Sequence, residues 1–313
     1  MRVLFAGSPA IAVPSLDALC RTEGIELTGV LTNPDSPKGR HGTPAPTEIG
    51  EAAEKICAGV PVLKPYKLDA SAREQVSSLK PDLLVTFAYG RIFGPKFLAL
   101  FPLGGINIHP SLLPKYRGPS PVQAAILNRD EETGICVQTL AEEMDSGDIL
   151  AVEKLRLTGD ETADSLGGIM AQKAAVILPK ALKDIADGTA LGQPQEHGKA
   201  SYCPLISRDD GLIVWEKSVA EIEAKIRAFY PWPLCRTIHD GRELYILKAV
   251  IYAGGALNGK AGQIMGIDKQ AGILVQTGEG ILAVTQLQYQ GKKALFWRDF
   301  LNGARDFLNA QLG

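Results

Sequence analysis

Arg2-Val3-Leu4-Phe5-Ala6-Gly7-Ser8-Pro9 opens the chain, followed by apolar positions at Ile11, Val13, Leu16, Leu19 and Cys20 and then by the run Ile25 to Leu31. Residues 2–6 read as a buried strand and Gly7-Ser8-Pro9 as a tight turn. The apolar positions between 11 and 21 recur at helical spacing, and 25–31 is a second apolar strand. Strand, helix and strand in this order predict a parallel, doubly wound sheet. Gly7 stands alone rather than inside a G-x-G-x-x-G, so no dinucleotide site is expected at this turn.

The same texture continues outward. A helix is expected near 47–58, a short strand at 60–63 and a helix near 69–79. Pro81 to Ala88 is a continuous apolar strand, suited to the covered centre of a parallel sheet. Tyr89-Gly90-Arg91 follows it at the edge where such sheets bind ligands. Further strands are expected around Ile106–Ile108, 135–140 and 149–157, with helices near 119–129 and 161–186. Gly192 to Gly198 is polar and Gly-rich. From about 206 the pattern changes: one short helix near 218–229, then closely spaced strands at 234–239, 243–252, 262–267, 272–276 and 280–289, the signal of a small β-barrel or sandwich. At 313 residues the chain exceeds the usual size of one core. The division expected is 1–188, a linker at 189–205, and 206–313.

Composition limits the function classes. With 45% hydrophobic and 22% charged residues, and without an apolar run of 18, the chain reads as a globular protein without a membrane span. A strand beginning at Arg2 leaves no room for a targeting peptide, so a cytoplasmic location is expected. Five cysteines, at 20, 57, 136, 203 and 235, form no CxxC pair, and neither a disulfide framework nor a metal site is expected. The net charge of −2 gives no global basic field. Residues 206–313 hold 13 Lys+Arg against 11 Asp+Glu, leaving 20 against 24 for the rest, so the second domain is the slightly basic one. Nothing in the chain demands an oligomer, and a monomer is expected.

Three stretches carry candidate chemistry. In Gly104-Gly105-Ile106-Asn107-Ile108-His109-Pro110-Ser111-Leu112-Leu113-Pro114, Asn107 and His109 are two apart and share one face of a strand that Pro110 stops. Met144-Asp145-Ser146-Gly147-Asp148 sets two carboxylates in a turn. The loop 33–47 is rich in Pro and Gly, long for a compact domain, and basic at Lys38, Arg40 and His41. An amide can donate to an oxyanion, an imidazole can stabilise it or move a proton, and a carboxylate can orient the imidazole. With no Ser or Cys in a nucleophile elbow, Asn107, His109 and Asp145 favour direct acyl transfer to an amine.

Asn107-x-His109, Ser111-Leu112-Leu113-Pro114, Arg117-Gly118, Pro121 and the later Asp145-x-Gly147-Asp148 resemble the signature of the folate-dependent formyltransferases. The runs Arg2–Pro9, Asn33–Arg40, Asp210–Trp215, Ile226–Pro233 and Gly291-Lys292-Lys293 are similar to the branch that acts on a charged tRNA, and the resemblance extends from Met1 to about Phe300. The loop after Arg40 is a little shorter than in that branch, with His41-Gly42-Thr43 and Thr47-Glu48 as departures.

The resemblance implies an α/β Rossmann-like catalytic domain and a C-terminal OB-like β-barrel that binds tRNA. It implies transfer of the formyl group of 10-formyltetrahydrofolate to the α-amino group of initiator methionyl-tRNA, with no metal. Asn107 and His109 would stabilise a tetrahedral oxyanion and Asp145 would help remove the amine proton. Tyr89, Ile92, Ser111, Leu112, Leu113 and Pro114 would line the folate. Lys38 and Arg40 would contact the acceptor arm, with Lys292, Lys293, Arg236 and Arg298 as further phosphate contacts. A sugar-nucleotide N-formyltransferase would keep the same trio, and an RNA-binding module would keep only the barrel.

Overall fold

In the computed structural model residues 1–38, 42–255 and 258–313 are described, without the side chains of Lys38, Arg305 and Asn309. Two compact units emerge. The first comprises Met1–Pro121, Glu132–Arg156 and Gly167–Pro204; the second comprises Val122–Glu131, Leu157–Leu166 and Leu205–Gly313.

The chain runs β1 (Arg2–Gly7), α1 (Val13–Arg21), β2 (Glu26–Leu31), β3 (Ser36–Lys38), β4 (Thr43–Ala45), α2 (Glu48–Ile56), β5 (Val62–Leu63) and α3 (Ala70–Ser78). It continues through β6 (Leu83–Phe87), α4 (Pro95–Leu98), β7 (Gly105–His109), α5 (Pro121–Leu127), β8 (Glu132–Thr139), β9 (Ile149–Arg156) and α6 (Ala163–Ala186). Seven of these strands form one sheet in the order β5-β2-β1-β6-β7-β8-β9. Leu4, Ala6, Leu31, Val76, Leu84, Tyr89, Phe97 and Phe101 form a buried cluster around its centre. Each large side chain so buried contributes about 1.5–3 kcal/mol.

The sheet differs from the parallel one expected. β1, β2, β5, β6 and β7 are parallel, but β8 pairs antiparallel to β7, and β9 antiparallel to β8. After β7 the chain turns back at the same edge instead of crossing to the opposite one, so the next strand enters reversed. The register that results, Asn107 opposite Gln138 and His109 opposite Cys136, decides what surrounds the site.

The loop 33–47 holds a small hairpin, β3 against β4, with Ser36 opposite Ala45. It ends at Thr47, whose Oγ1 accepts the Gly50 N–H at 3.0 Å and caps α2. Arg40 lies outside the described residues. Residues 189–205, expected as a linker, are packed into the first unit as far as Pro204. Ile149 and Gln193 exchange two backbone hydrogen bonds of 2.8 and 2.9 Å, and Arg117 and Ser201–Cys203 exchange two of 2.8 Å. A polar stretch reads as solvated in sequence, but its polar groups can be buried when each finds a partner.

The second unit contains α7 (Val219–Ala228), β10 (Cys235–His239), β11 (Arg242–Ile251), β12 (Ile264–Asp268), β13 (Gly272–Gln276), β14 (Ile281–Tyr289), β15 (Leu295–Phe296) and α8 (Trp297–Gly303). Ser218 and Glu221 form a reciprocal capping box at the start of α7. The strands form an antiparallel sheet ordered β10-β11-β14-β13-β12, with β15 beside β14. Its two edges are joined by the end of the chain: Ile264 donates to the Ala310 carbonyl at 3.1 Å, Leu312 to Gly262 at 2.9 Å, and Gly313 to Ile238 at 3.2 Å. β15 and α8 were not among the elements expected. They are short, and their pattern covers too few residues to show a period.

Candidate active site

Period 2 on β7 turns Ile106 and Ile108 to one face and Asn107 and His109 to the other. β8 adds Gln138 opposite Asn107, since directly paired residues share a face. The turn between β8 and β9 then brings Asp145 onto this group. Asp145 has a left-handed backbone, φ +53°, which a non-glycine residue adopts only when its surroundings impose it.

The Asp145 carboxylate accepts three N–H groups. Oδ1 accepts from Gln138 Nε2 at 2.9 Å and Asn107 Nδ2 at 3.2 Å, and Oδ2 accepts from the Gly118 amide at 2.8 Å. Two glycines make this approach possible. A Cβ on Gly147 would lie 1.8 Å from the Thr139 carbonyl oxygen, and one on Gly118, at φ +110°, would lie 2.4 Å from that of Cys203.

His109 is buried. Its Nε2 faces the Tyr116 carbonyl at 2.8 Å. A carbonyl only accepts, so Nε2 carries the ring proton and donates it. In the neutral ring Nδ1 is then a bare lone pair, 3.6 Å from Asp145 Oδ1. Burial pulls the histidine below the usual imidazole range, opposed by the Asp145 charge and the Tyr116 carbonyl. The resting ring is therefore a neutral acceptor at Nδ1 with a carboxylate waiting beside it. The neighbouring thiols are no nucleophiles: burial raises Cys136 to about 11 and raises Cys203 as well.

The other residues named from sequence are placed as follows. Tyr89 is only 2% exposed, packs in the core cluster and stacks on Phe93, centroids 5.3 Å apart. Among the described residues its buried hydroxyl has no hydrogen-bond partner. Ile92, three residues on, is 80% exposed. Ser111 is buried and donates its hydroxyl to the Lys115 carbonyl at 2.6 Å. Leu112 lies over Gly134, Leu113 is buried, and the Pro114 carbonyl accepts from Ser201. Lys292 and Lys293 are exposed after β14, and among the described residues neither forms an ion pair. Arg298 donates to the Lys269 carbonyl. Arg236, expected as a phosphate contact, is instead buried, pairs with Asp209 at 3.0 Å and Glu243 at 3.6 Å, and keeps little side-chain surface for a phosphate.

Gln138, Arg117 and Gln195 were missed as site residues. In sequence Arg117 stands out only as part of a motif, and Gln195 only as part of a polar stretch. Only the β7–β8 register could have pointed to Gln138. Among the described residues no group of three or more His, Cys, Asp or Glu could hold a metal ion, and no helix is long and apolar enough to cross a membrane.

This geometry can be set beside known proteins. The family profile described as formyl transferase matches residues 1–182, and that of the formyl transferase C-terminal domain matches residues 205–305. The methionyl-tRNA formyltransferase of Treponema denticola is 49% identical over 318 residues, covering 98% of each chain. That of a Roseiflexus species is 40% identical over 306 residues, covering 97% of this chain and 93% of the relative. Among solved structures, an N-formyltransferase from Helicobacter canadensis in complex with folinic acid and dTDP-3-aminofucose superposes with a TM-score of 0.64 at 20% identity, over 90% of this chain and 98% of that one. HypX from Aquifex aeolicus in complex with tetrahydrofolic acid gives a TM-score of 0.64 at 18% identity, over 96% of this chain but 47% of that one. These two likenesses concern the fold.

A Rossmann-like domain with the Asn107–His109–Asp145 group, followed by an antiparallel sheet domain, defines the class: a two-domain formyl transferase. At 49% and 40% identity over nearly its whole length, the chain belongs to the methionyl-tRNA formyltransferase family.

Proposed function

We propose that the protein transfers the formyl group of 10-formyltetrahydrofolate to the α-amino group of initiator methionyl-tRNA, in the cytoplasm and as a monomer, giving N-formylmethionyl-tRNA for translation initiation. The observation that carries this reading is the convergence of Asn107, His109 and Asp145 at the end of β7, in a chain whose relatives of similar length bear that name.

The residues at the end of β6 fit a folate. A flat bicyclic ring with amide-like edges needs apolar surface and a few polar partners. Ile92 offers the first, and the Tyr89 hydroxyl, without a partner among the described residues, is a candidate for the second. The Ser111–Pro114 loop would line the other side. The co-substrate supplies an activated formyl carbon. The amine nitrogen attacks that carbon, the bond to N10 breaks, and the proton lost by the amine ends on N10 of tetrahydrofolate.

The protein's own groups divide that work. One Asn107 amide hydrogen is held by Asp145, which leaves the other to donate to the developing oxyanion. His109 accepts the amine proton at Nδ1, while its other nitrogen stays fixed on the Tyr116 carbonyl. The imidazolium formed is balanced by Asp145 and stabilises the oxyanion. Asp145 thus assists proton removal without leaving its three donors. Exposed Lys292 and Lys293, with Lys38 and Arg40 of the basic loop, would contact tRNA phosphates.

The test offers purified protein the folate donor with methionyl-tRNA or with amino-sugar nucleotides. Folate-dependent formylation of the tRNA alone is expected. Formylated sugar with untouched tRNA would overturn the assignment.

A further inference from the structure

Arg117 is 1% exposed, and among the described residues no carboxylate pairs with it. Its guanidinium is met by an amide, a phenol and an imidazole instead. Nε and Nη2 donate to Gln195 Oε1 at 3.1 and 2.7 Å, Nη1 donates to the Tyr202 hydroxyl at 3.2 Å, and Nη2 lies 3.2 Å from His197 Nδ1. A buried cation without a counter-ion is costly, and structures keep one where its field or its hydrogen bonds serve a purpose.

The purpose is read from the far side of Gln195. Its Nε2 donates to the Gly147 carbonyl at 2.7 Å and the Asp145 carbonyl at 2.9 Å, with Gln138 Oε1 at 3.2 Å. The same side chain therefore holds both backbone carbonyls of the turn that carries the catalytic carboxylate. Because Gln138 Oε1 faces an N–H of Gln195, its own Nε2 must face Asp145 Oδ1, where it is found. Two donors on Gln195 Oε1 polarise that amide and strengthen what it donates. The left-handed φ of Asp145 needs this restraint.

We propose that Arg117 and Gln195 are positioning residues for Asp145: the guanidinium fixes the amide, and the amide fixes the 145–147 turn and the orientation of Gln138. This rests on the formyl-transfer reading above. The ionisable groups around the aspartate are His109 from β7 and Cys203, with Arg117, His197 and Tyr202 behind Gln195.

Gln195→Glu is the informative variant. A glutamate still accepts from Arg117, so the buried cation keeps a partner and the fold is retained. It cannot donate to the two carbonyls, and it cancels the local positive charge. The expected result is a kcat lower by about ten- to a hundred-fold, as for small misplacements of catalytic groups, with KM for the folate within about two-fold. In ¹⁵N spectra of histidine-labelled protein, the His109 titration moves to higher pH, and Arg117→Met moves it the same way. Wild-type kcat in Gln195→Glu, or a fallen kcat with an unmoved His109 titration, overturns the proposal. Absence of formyl transfer by the wild-type protein would instead defeat the functional reading, and the histidine titration would still decide the positioning role.

Discussion

Asn107 and Gln138, paired across β7 and β8, donate to the same oxygen, Asp145 Oδ1, at 3.2 and 2.9 Å. The residue assigned to the oxyanion is thus one of two amides that share a carboxylate. Gln138→Leu keeps size and removes the shorter of the two bonds. Asn107 would then bind Asp145 more tightly and turn from the formyl oxygen. Turnover should fall by about ten-fold or more, but less than in Asn107→Ala, where loss of an oxyanion donor costs about 10²–10³. Steady-state kcat for both variants checks the order, and the reverse order would refute the sharing of that oxygen as the reason for Gln138's effect.

The carboxylate can be neutralised without changing its shape. In Asp145→Asn the charge facing Nδ1 of His109 is lost, and the imidazolium of the proposed mechanism would have no counter-ion. Folate binding should persist while kcat drops by about 10²–10³, in line with removal of one preorganised electrostatic interaction. Fluorescence titration with a tetrahydrofolate compound separates the two effects. Binding that disappears together with turnover would contradict the assignment.

The histidine also fixes a pH dependence. Its pKa is lowered in the fold, chiefly by burial, so the neutral form is favoured there. A depressed group contributes stability in full above the unfolded value of about 6.5 and loses it as pH falls. The same neutral ring is the proton acceptor in the proposed mechanism. Formyl transfer should therefore hold its rate from pH 8 down to about 6.5 and decline only below that. An acid limb already developed at pH 7 would mean a raised histidine, against the effect of burial.

Gly147 tests the steric basis of the turn. An alanine Cβ would meet the Thr139 carbonyl oxygen at 1.8 Å, against backbone that cannot rotate away cheaply. Gly147→Ala should lose about 1–3 kcal/mol of stability, the range for overpacked sites, together with most activity. Thermal unfolding compared with Gly167→Ala, whose Cβ meets nothing within 4 Å, gives the control. Equal stability of the two variants would show that the turn is not tightly closed.

For the tRNA, Lys292→Ala and Lys293→Ala should each weaken binding in a salt-dependent way. Removing one lysine from a phosphate lowers the slope of log K against log salt by about one. An unchanged slope would exclude that lysine from the interface.

Most of the first unit was legible because its strands are continuous apolar runs and its helices have clear periods. The apolar run Pro81–Ala88 and the periodic stretch 161–186 coincide within a few residues with β6 and α6. Asn107 and His109 were legible as a pair because a strand puts alternate residues on one face. The reversal at β8 was not, since direction depends on which sheet edge the chain returns to. Gln138 and Gln195 were invisible for the same reason: an amide among ordinary residues gains its role from the register of β8 and from a polar stretch that packs instead of tethering. The joining of the second sheet's edges by residues 310–313 rests on backbone hydrogen bonds that no side-chain pattern announces.

In the proposed mechanism Asn107, His109 and Asp145 act on the bound substrates and not on folding. Single-turnover formylation of methionyl-tRNA, at saturating 10-formyltetrahydrofolate, measures that step directly in the wild-type protein and Asn107→Ala. The expected variant unfolds at the same temperature, binds folate as before and transfers formyl about 10²–10³ times more slowly. A folded Asn107→Ala protein that transfers at the wild-type rate would contradict the claim.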